Sequence, residues 1–317
     1  MPPDHPRDSQ ARPRGCAVLC CDAAFLPYAA FAGHRIRLGA PDLDVLICSN
    51  RPLPIPPALG LSGRVIETGG AFDALDADAR VTAATYLRLA LPDALAGDYD
   101  RLFYLDCDIH VHRGAGARIA ALLGAQMGGC PVAAVRDTQQ WRSPDAHLSD
   151  MRALGLPPGP YLNAGVMMID IPAWRRAGLT GEALAFGADH AGRLEHRDQT
   201  LLNAVLQGRW AELSPVWNWQ YTRASRMFEA MTAPHLVHFI GAVKPWADPE
   251  GRLAPRFAAA LAAFMAEHFP DLPRPAPGRG PLAIPGAARH LAWRHLLAAD
   301  RIEAYLARFA HDLEIRT

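Results

Sequence analysis

Leu102-Phe103-Tyr104-Leu105-Asp106-Cys107-Asp108 is the stretch that orders the rest of the chain. Four consecutive large apolar residues read as a buried strand at the centre of a sheet. Two carboxylates follow at once. Asp-x-Asp also occurs at Asp42/Asp44, Asp76/Asp78 and Asp98/Asp100, so the tripeptide selects nothing by itself. Only at Asp106/Asp108 does it close an uninterrupted apolar run, which places it at the carboxyl end of a central strand, where open α/β sheets bind ligands. Extended backbone would set Asp106 and Asp108 on one face and turn Cys107 away. Two hard oxygen ligands side by side suit Mg²⁺ or Mn²⁺. The plain alternative is a pair of solvated turn aspartates.

Working outward, residues 16–21, 45–48 and 64–66 read as strands, with Tyr28, Phe31, Ile36 and Leu38 at helical spacing after Pro27. Residues 81–91, 115–125 and 199–206 read as helices, the last with Asp198 near its start. Residues 132–135, 162–171 and 236–240 read as strands, and 255–269 as an amphipathic helix. Apolar strands alternating with helices predict an α/β fold built on a parallel sheet with right-handed crossovers. Residues 137–160 form a long connection of the kind that usually carries function. A Pro/Gly-dense arm over 270–286 leads to a helical pattern over 287–313, in which Leu291, Leu296, Ile302, Tyr305, Leu306 and Phe309 oppose Arg289, Arg294, Arg301 and Arg308. Such a helix suits an anionic membrane surface or packs back on its own domain. The expected organisation is a disordered leader over 1–14, a catalytic domain over 15–269, a linker over 270–286 and a C-terminal amphipathic helix over 287–317.

The 317 residues include 32 basic and 32 acidic side chains, so the global attraction expected of a nucleic-acid binder is absent. No run reaches the roughly 18 apolar residues of a spanning helix, and the first 14 residues lack the apolar core of a secretory signal. The six cysteines form no C-x-x-C pair and read as reduced, buried and cytoplasmic. Lys244 is the single lysine among those 32 basic residues. It follows His238 and Gly241 after a strand, so an imidazole, a backbone open to close approach and a compact cation suited to a diphosphate come together.

Five segments then carry a resemblance: 81–89 (VTAATYLRL), 102–108 (LFYLDCD), 161–169 (YLNAGVMMI), 197–203 (RDQTLLN) and 238–246 (HFIGAVKPW). In order and separation they resemble glycosyltransferase family 8, which includes bacterial lipopolysaccharide galactosyl- and glucosyltransferases and the glycogenins. The resemblance implies a GT-A fold with a Rossmann-like, mainly parallel central sheet. It also implies a UDP-sugar donor, UDP-galactose or UDP-glucose, a Mn²⁺ ion (or Mg²⁺), and transfer with retention to a saccharide or glycolipid. It makes Asp106, Asp108 and His238 the metal ligands and sets Arg88 near the donor phosphates and sugar. Asn163, Ala164 and Gly165 would line that sugar, Asp198 and Gln199 would lie beside the reacting carbon, and Gly241 and Lys244 would hold the diphosphate. At the first strand, Asp22 and Phe25 fall on the uridine pocket, where the family more often has Asp-x-Asn-Tyr, and Thr200 replaces an acidic residue common after Asp-Gln. The acceptor is expected to meet residues 137–160 and the region 223–232, with Trp141, Trp217 and Trp219 either stacking on sugars or buried in the core. Two other classes fit the same residues: a metal-dependent nucleotide-sugar hydrolase or pyrophosphatase, and a sugar-nucleotide-binding protein without catalysis.

Overall fold

The central strand is β4 (Arg101–Leu105). In the computed structural model, which describes residues 13–70 and 86–317, it lies between β1 (Gly15–Cys20) and β7 (Leu162–Asp170). Side chains of β1 and β4 alternate between two cores, as a strand's period of two requires. Ala17, Leu19, Phe103 and Leu105 enter one core with α1 (Leu26–Gly39) and α3 (Ala115–Leu122). Cys16, Val18, Leu102 and Tyr104 enter the other with α2 (Leu87–Ala94), α6 (Ile171–Arg176), α7 (Leu179–Asp189) and α8 (Asp198–Leu206).

The sheet continues through β2 (Asp44–Ser49) and β3 (Ser62–Val65) on one side. On the other it continues through β6 (Val132–Arg136), β8 (Ala211–Leu213) and β11 (Ile315–Arg316). Strands β3, β2, β1 and β4 are parallel, as the alternation predicts, but β7 runs antiparallel to both β4 and β6. The reason lies in residues 137–160. They fold into α4 (Thr138–Arg142) and α5 (Ser149–Ala153) rather than a structureless loop, and stay at the carboxyl end of β6 instead of crossing the sheet. The Asp137 side chain caps α4 by accepting from Gln139 N at 3.0 Å. The chain therefore re-enters from that end, and the Leu105–Val166 pairing sets Asn163–Gly165 beside the end of β4.

A second sheet holds β5 (Ile109–Val111), β10 (Leu236–His238) and β9 (Trp219–Gln220), in that order. Helix α10 (Pro255–His268) packs on α1, and α9 (Arg226–Thr232) and α4 pack against α11 (Ala287–Leu306). Glu212 of β8 anchors α11's far end, accepting from Tyr305 Oη at 2.8 Å and from both Arg308 terminal nitrogens. Beyond α11 the chain is not helical to residue 313; it turns and adds β11 to the main sheet. All six cysteines are free, four buried and two, Cys107 and Cys130, half-buried. Residues 1–12 of the expected leader and 81–85 of the expected helix lie outside the described residues.

Candidate functional site

Asp106, Asp108 and His238 converge: one ligand atom from each lies within 4.8 Å of the others. The route differs from the extended strand expected. β4 ends at Leu105, and residues 106–108 turn into β5, with Asp106 N donating to Gly165 O at 2.8 Å and Cys107 Sγ turned to Cys20 O. β10 pairs antiparallel with β5, His238 opposite Ile109, which carries the imidazole to Asp108 with Nε2 3.2 Å from Oδ1. Asn218 fixes the ring. Its amide nitrogen donates to Asn163 Oδ1 at 2.8 Å, so its oxygen faces His238 Nδ1 at 2.9 Å and Nδ1 must donate. That tautomer leaves Nε2 for a ligand. Asp108 Oδ1 is buried without a hydrogen-bond partner beside that nitrogen, so two carboxylates and an imidazole with an unsatisfied oxygen fit a divalent cation. Burial raises the Asp108 carboxyl, but His238 whenever it is protonated, and Lys244, hold it well below the usual carboxylate range.

Arg88 of α2 ties this trio to α8. Nη2 donates to Asp106 Oδ1 at 2.9 Å, Nη1 to Ala164 O at 2.9 Å, and Nε lies 2.6 Å from Asp198 Oδ2. The guanidinium stacks over Tyr104, whose hydroxyl donates to Asp106 at 2.6 Å. Burial pushes the Asp198 carboxyl above its ordinary range despite Arg88. Asp198 opens α8 immediately after Arg197, whose φ of 50° is a left-handed backbone that a residue with a Cβ rarely adopts. Gln199 Oε1 accepts from Ala164 N at 3.0 Å, and Asn203 exchanges bonds with both backbone groups of Leu162, so α8 is clamped to β7. Removing Arg88 would leave two carboxylates uncompensated, the costly way to break a buried ion pair.

Two clefts meet at these residues. One, of about 640 Å³, is lined by Asn163, Ala164, Gly165, Asp198 and Gln199. The other, of about 210 Å³, is lined by Asp22, Phe25, Lys244 and Trp246. Arg88, Asp106 and Asp108 belong to both. Lys244 Nζ donates to Asp108 Oδ2 and Phe239 O. Asp22 Oδ1 accepts from Ala24 N and Phe25 N, and the 44%-exposed Phe25 ring meets Tyr28 and Trp246 edge to face. Gly241 is exposed and lines neither cleft.

Burial decides for the core reading of the acceptor-region tryptophans. Residues 223–232 line neither of these clefts, and α9 packs one side against α11. Trp141, Trp217 and Trp219 are all buried in the core and offer no face to a sugar. The sequence reading missed Asn218, Tyr104, Tyr161 and Asp150. Asn218 lies between Trp217 and Trp219, and a polar residue enclosed by two apolar aromatics is a signal that could have found it. Asp150 delivers a carboxylate to Thr200 Oγ1 at 2.8 Å, beside the position where the expected acidic residue is missing.

The profile of Glycosyl transferase family 8 matches residues 65–250. General stress protein A of Bacillus subtilis (strain 168) is 31% identical over 182 residues, 52% of this chain and 60% of its own length. Lipopolysaccharide 1,2-glucosyltransferase of Escherichia coli (strain K12) is 31% identical over 173 residues, 51% of this chain and 49% of its own. Lipopolysaccharide 1,3-galactosyltransferase of Salmonella typhimurium is 29% identical over 172 residues, 52% of this chain and 50% of its own. The matches thus span about half to three-fifths of these relatives. Among solved structures, the galactosyltransferase LgtC in complex with donor and acceptor sugar analogs superposes with a TM-score of 0.61 at 21% identity, covering 78% of this chain and 95% of that one. Apo-form GlyE of Streptococcus pneumoniae TIGR4 gives 0.54 at 19%, covering 84% of this chain and 65% of that one. At such identities the likeness is one of fold, the GT-A arrangement. The profile match is the stronger statement, for it spans more than half of the sequence and encloses both Asp residues of the turn, the Asn163–Gly165 strand, α8 and the His238–Lys244 segment: the chain belongs to glycosyl transferase family 8.

Proposed function

We propose that the protein is a retaining, metal-dependent hexosyltransferase that moves galactose or glucose from a UDP-sugar to a hydroxyl of a saccharide or glycolipid. The observation that carries this reading is the place of Arg88, Asp106 and Asp108 on the floor of both clefts. A nucleoside diphosphate in the smaller cleft and a sugar in the larger would meet over them. Asp106, Asp108 and His238 would hold Mn²⁺ or Mg²⁺, which when bound neutralises charge on the departing diphosphate. Lys244 adds a second positive charge, and Asp22 and Phe25 receive the uracil ring; Gly241, outside both clefts, would reach the phosphates only if its loop moved inward. Arg88, Asn163, Ala164 and Gly165 hold the donor sugar.

Retention is what the likeness to the family implies, and it needs either a covalent glycosyl-enzyme or attack from the face the leaving group departs. Gln199 is an amide and a poor nucleophile, and Asp198 is tied to Arg88 and pushed toward its neutral form by burial. With no free nucleophile there, the acceptor hydroxyl would attack from the face the diphosphate leaves, its proton passing to a phosphate oxygen, while Gln199 or, in its ionised form, Asp198 stabilises positive charge on the sugar. The named activities of the two lipopolysaccharide relatives support a hexose donor and a saccharide acceptor. Among the described residues no helix is long and apolar enough to cross a membrane, and we assign peripheral membrane contact to the outer face of α11.

The test is incubation with UDP-galactose or UDP-glucose, with and without Mn²⁺ and a saccharide acceptor. Mn²⁺-dependent UDP release coupled to an α-linked product is expected, and Asp108→Asn should abolish it while leaving the fold intact. Free hexose in equal amount would identify a hydrolase, UMP with hexose phosphate a pyrophosphatase, and binding without turnover a carrier. A β-linked product would overturn the retaining assignment.

A further inference from the structure

Helix α8, which carries Asp198 and Gln199, starts from a backbone that needs outside support. Arg197, the residue before it, has φ of 50° and ψ of −118°, a conformation that persists in a residue with a Cβ only where its surroundings impose it. Within the turn, Gln199 N donates to His196 O at 3.0 Å and Leu201 N to Arg197 O at 2.9 Å. A side chain adds one bond more: His196 N donates to Thr200 Oγ1 at 2.9 Å. Thr200 is the fully buried third residue of α8, so its hydroxyl reaches back to a donor ahead of the helix, as the third residue of a capping box does.

A threonine hydroxyl does not accept there by default. In a helix it commonly donates to the carbonyl four residues back, here His196 O, beside the N–H it now serves. Asp150 of α5, only 1% exposed in the wall of the larger cleft, removes that choice. Its Oδ2 takes the Thr200 proton at 2.8 Å and that of the Tyr161 hydroxyl, and its Oδ1 accepts from Met151 N at 2.9 Å. A hydroxyl whose one proton is committed to a carboxylate has only lone pairs left for His196 N–H. Asp150 also sets its carboxylate at the N-terminus of α8, where the helix dipole favours an anion and the sequence has a threonine in place of the expected acid. Two other bridges join α5 to this turn, Ser149 Oγ to Glu195 at 3.2 Å and Arg193 to Ala153 O at 2.6 Å, but both are exposed and compete with water.

We propose that Asp150 is a positioning residue for the start of α8: by taking the Thr200 proton it makes that hydroxyl the acceptor for His196 N–H, and so holds the turn from which Asp198 meets Arg88 and Gln199 meets Ala164 N. The proposal rests on the assignment of Asp198 and Gln199 to the reacting carbon, and its first test needs no turnover. Hydrogen exchange of the His196 amide, read by NMR on ¹⁵N-labelled full-length protein, reports the bond. Exchange should quicken by about tenfold or more in Thr200→Val and in Asp150→Ala, and keep its wild-type rate in Thr200→Ser. Supplying the carboxylate from the helix itself, in Asp150→Ala combined with Thr200→Asp, should slow it again. A His196 amide unmoved in Thr200→Val, or in a folded Asp150→Ala, overturns the proposal. A double variant that stays fast or stays unfolded does the same, which keeps the test decisive if Asp150→Ala alone does not fold.

Kinetics separate positioning from plain stability. Asp150→Ala should lose about tenfold or more in kcat with donor KM within about twofold, because the diphosphate would lie against Asp106, Asp108 and Lys244, away from this turn. The double variant should recover kcat to within about threefold of wild type. A lowered melting temperature with kcat and KM unchanged overturns the positioning role. A wild-type protein that releases no UDP would sink the proposed function, and His196 exchange would still decide whether Asp150 holds the turn.

Discussion

At Gly165 the ring of His238 leaves room for a hydrogen and nothing larger: a Cβ there would lie 2.2 Å from Cε1 and 2.8 Å from Nδ1. The glycine of the Asn163-Ala164-Gly165 run is thus a clearance for the imidazole. Gly165→Ala should drive the ring off its Asn218 bond and weaken Mn²⁺ binding by about 10–100-fold, as loss of a ligand's outer support does. Titration followed by the EPR signal of free Mn²⁺ measures this, and unchanged affinity would show that the ring is held by something else. Asp106, Asp108 and His238 were legible in the sequence because each ends an apolar strand, a pattern that needs no knowledge of neighbours. Asn218 was not, since its task depends on Asn163 and His238, 55 and 20 residues away. The turn that gathers the two aspartates was also hidden, because extended and turned backbone both leave such a pair on one side.

Among the elements, β1, β4 and β7 were readable as uninterrupted apolar runs, because both of their faces are buried, and α1 and α10 from the helical spacing of their apolar residues. Short elements such as β5, β8, β9, α4 and α5 carry too few residues for a period to show, and their pairing is decided by distant partners. Helix α11 shows how an element can be read correctly and still be given too narrow a task. Its inner face buries Leu291, Ala298, Ile302 and Tyr305, and Tyr305 stacks on Trp141 of α4, the helix whose first residues line the larger cleft. Its outer face exposes Trp293 (60%), Leu296 (67%) and Leu297 (58%) among exposed Arg289, Arg294 and Arg301. Truncation after Pro285 would therefore undermine a cleft wall as well as remove the apolar surface. Point changes separate the two: Trp293→Glu with Leu296→Glu should abolish co-sedimentation with anionic vesicles and leave transfer to a soluble saccharide within about twofold, because isolated exposed positions contribute little to folding. Retained vesicle binding would assign this face elsewhere.

For the molecule as a whole, Asp106, Asp108 and His238 mark the seam between the two sheets, with the aspartates at the turn from β4 into β5 and the histidine on β10. The chain beyond α11 closes over the same seam from behind. Asp312 bonds His235 at 2.6 Å and Arg118 Nε at 2.8 Å, and its carbonyl accepts from Trp217 Nε1 at 2.6 Å. Partial burial raises the Asp312 carboxyl, yet Arg118 and His235 hold it below its ordinary value. A depressed carboxylate contributes stability that is present above its unfolded pKa, about 4, and is lost as pH falls through the folded value. Asp312→Asn should therefore lower the melting temperature at pH 7, and the gap to wild type should close as pH falls through the depressed folded-state value. A gap independent of pH would assign the loss to packing.

The seat of Lys244 against Asp108 bears on the chemistry of the entire surface. With 31 arginines and one lysine, the molecule offers a single side-chain amine to acylating reagents, and that amine stands in the smaller cleft. Side-chain amine modification of this protein is consequently confined to one position, and a mass increment on the peptide that carries Lys244 reports whether the cleft is open or filled.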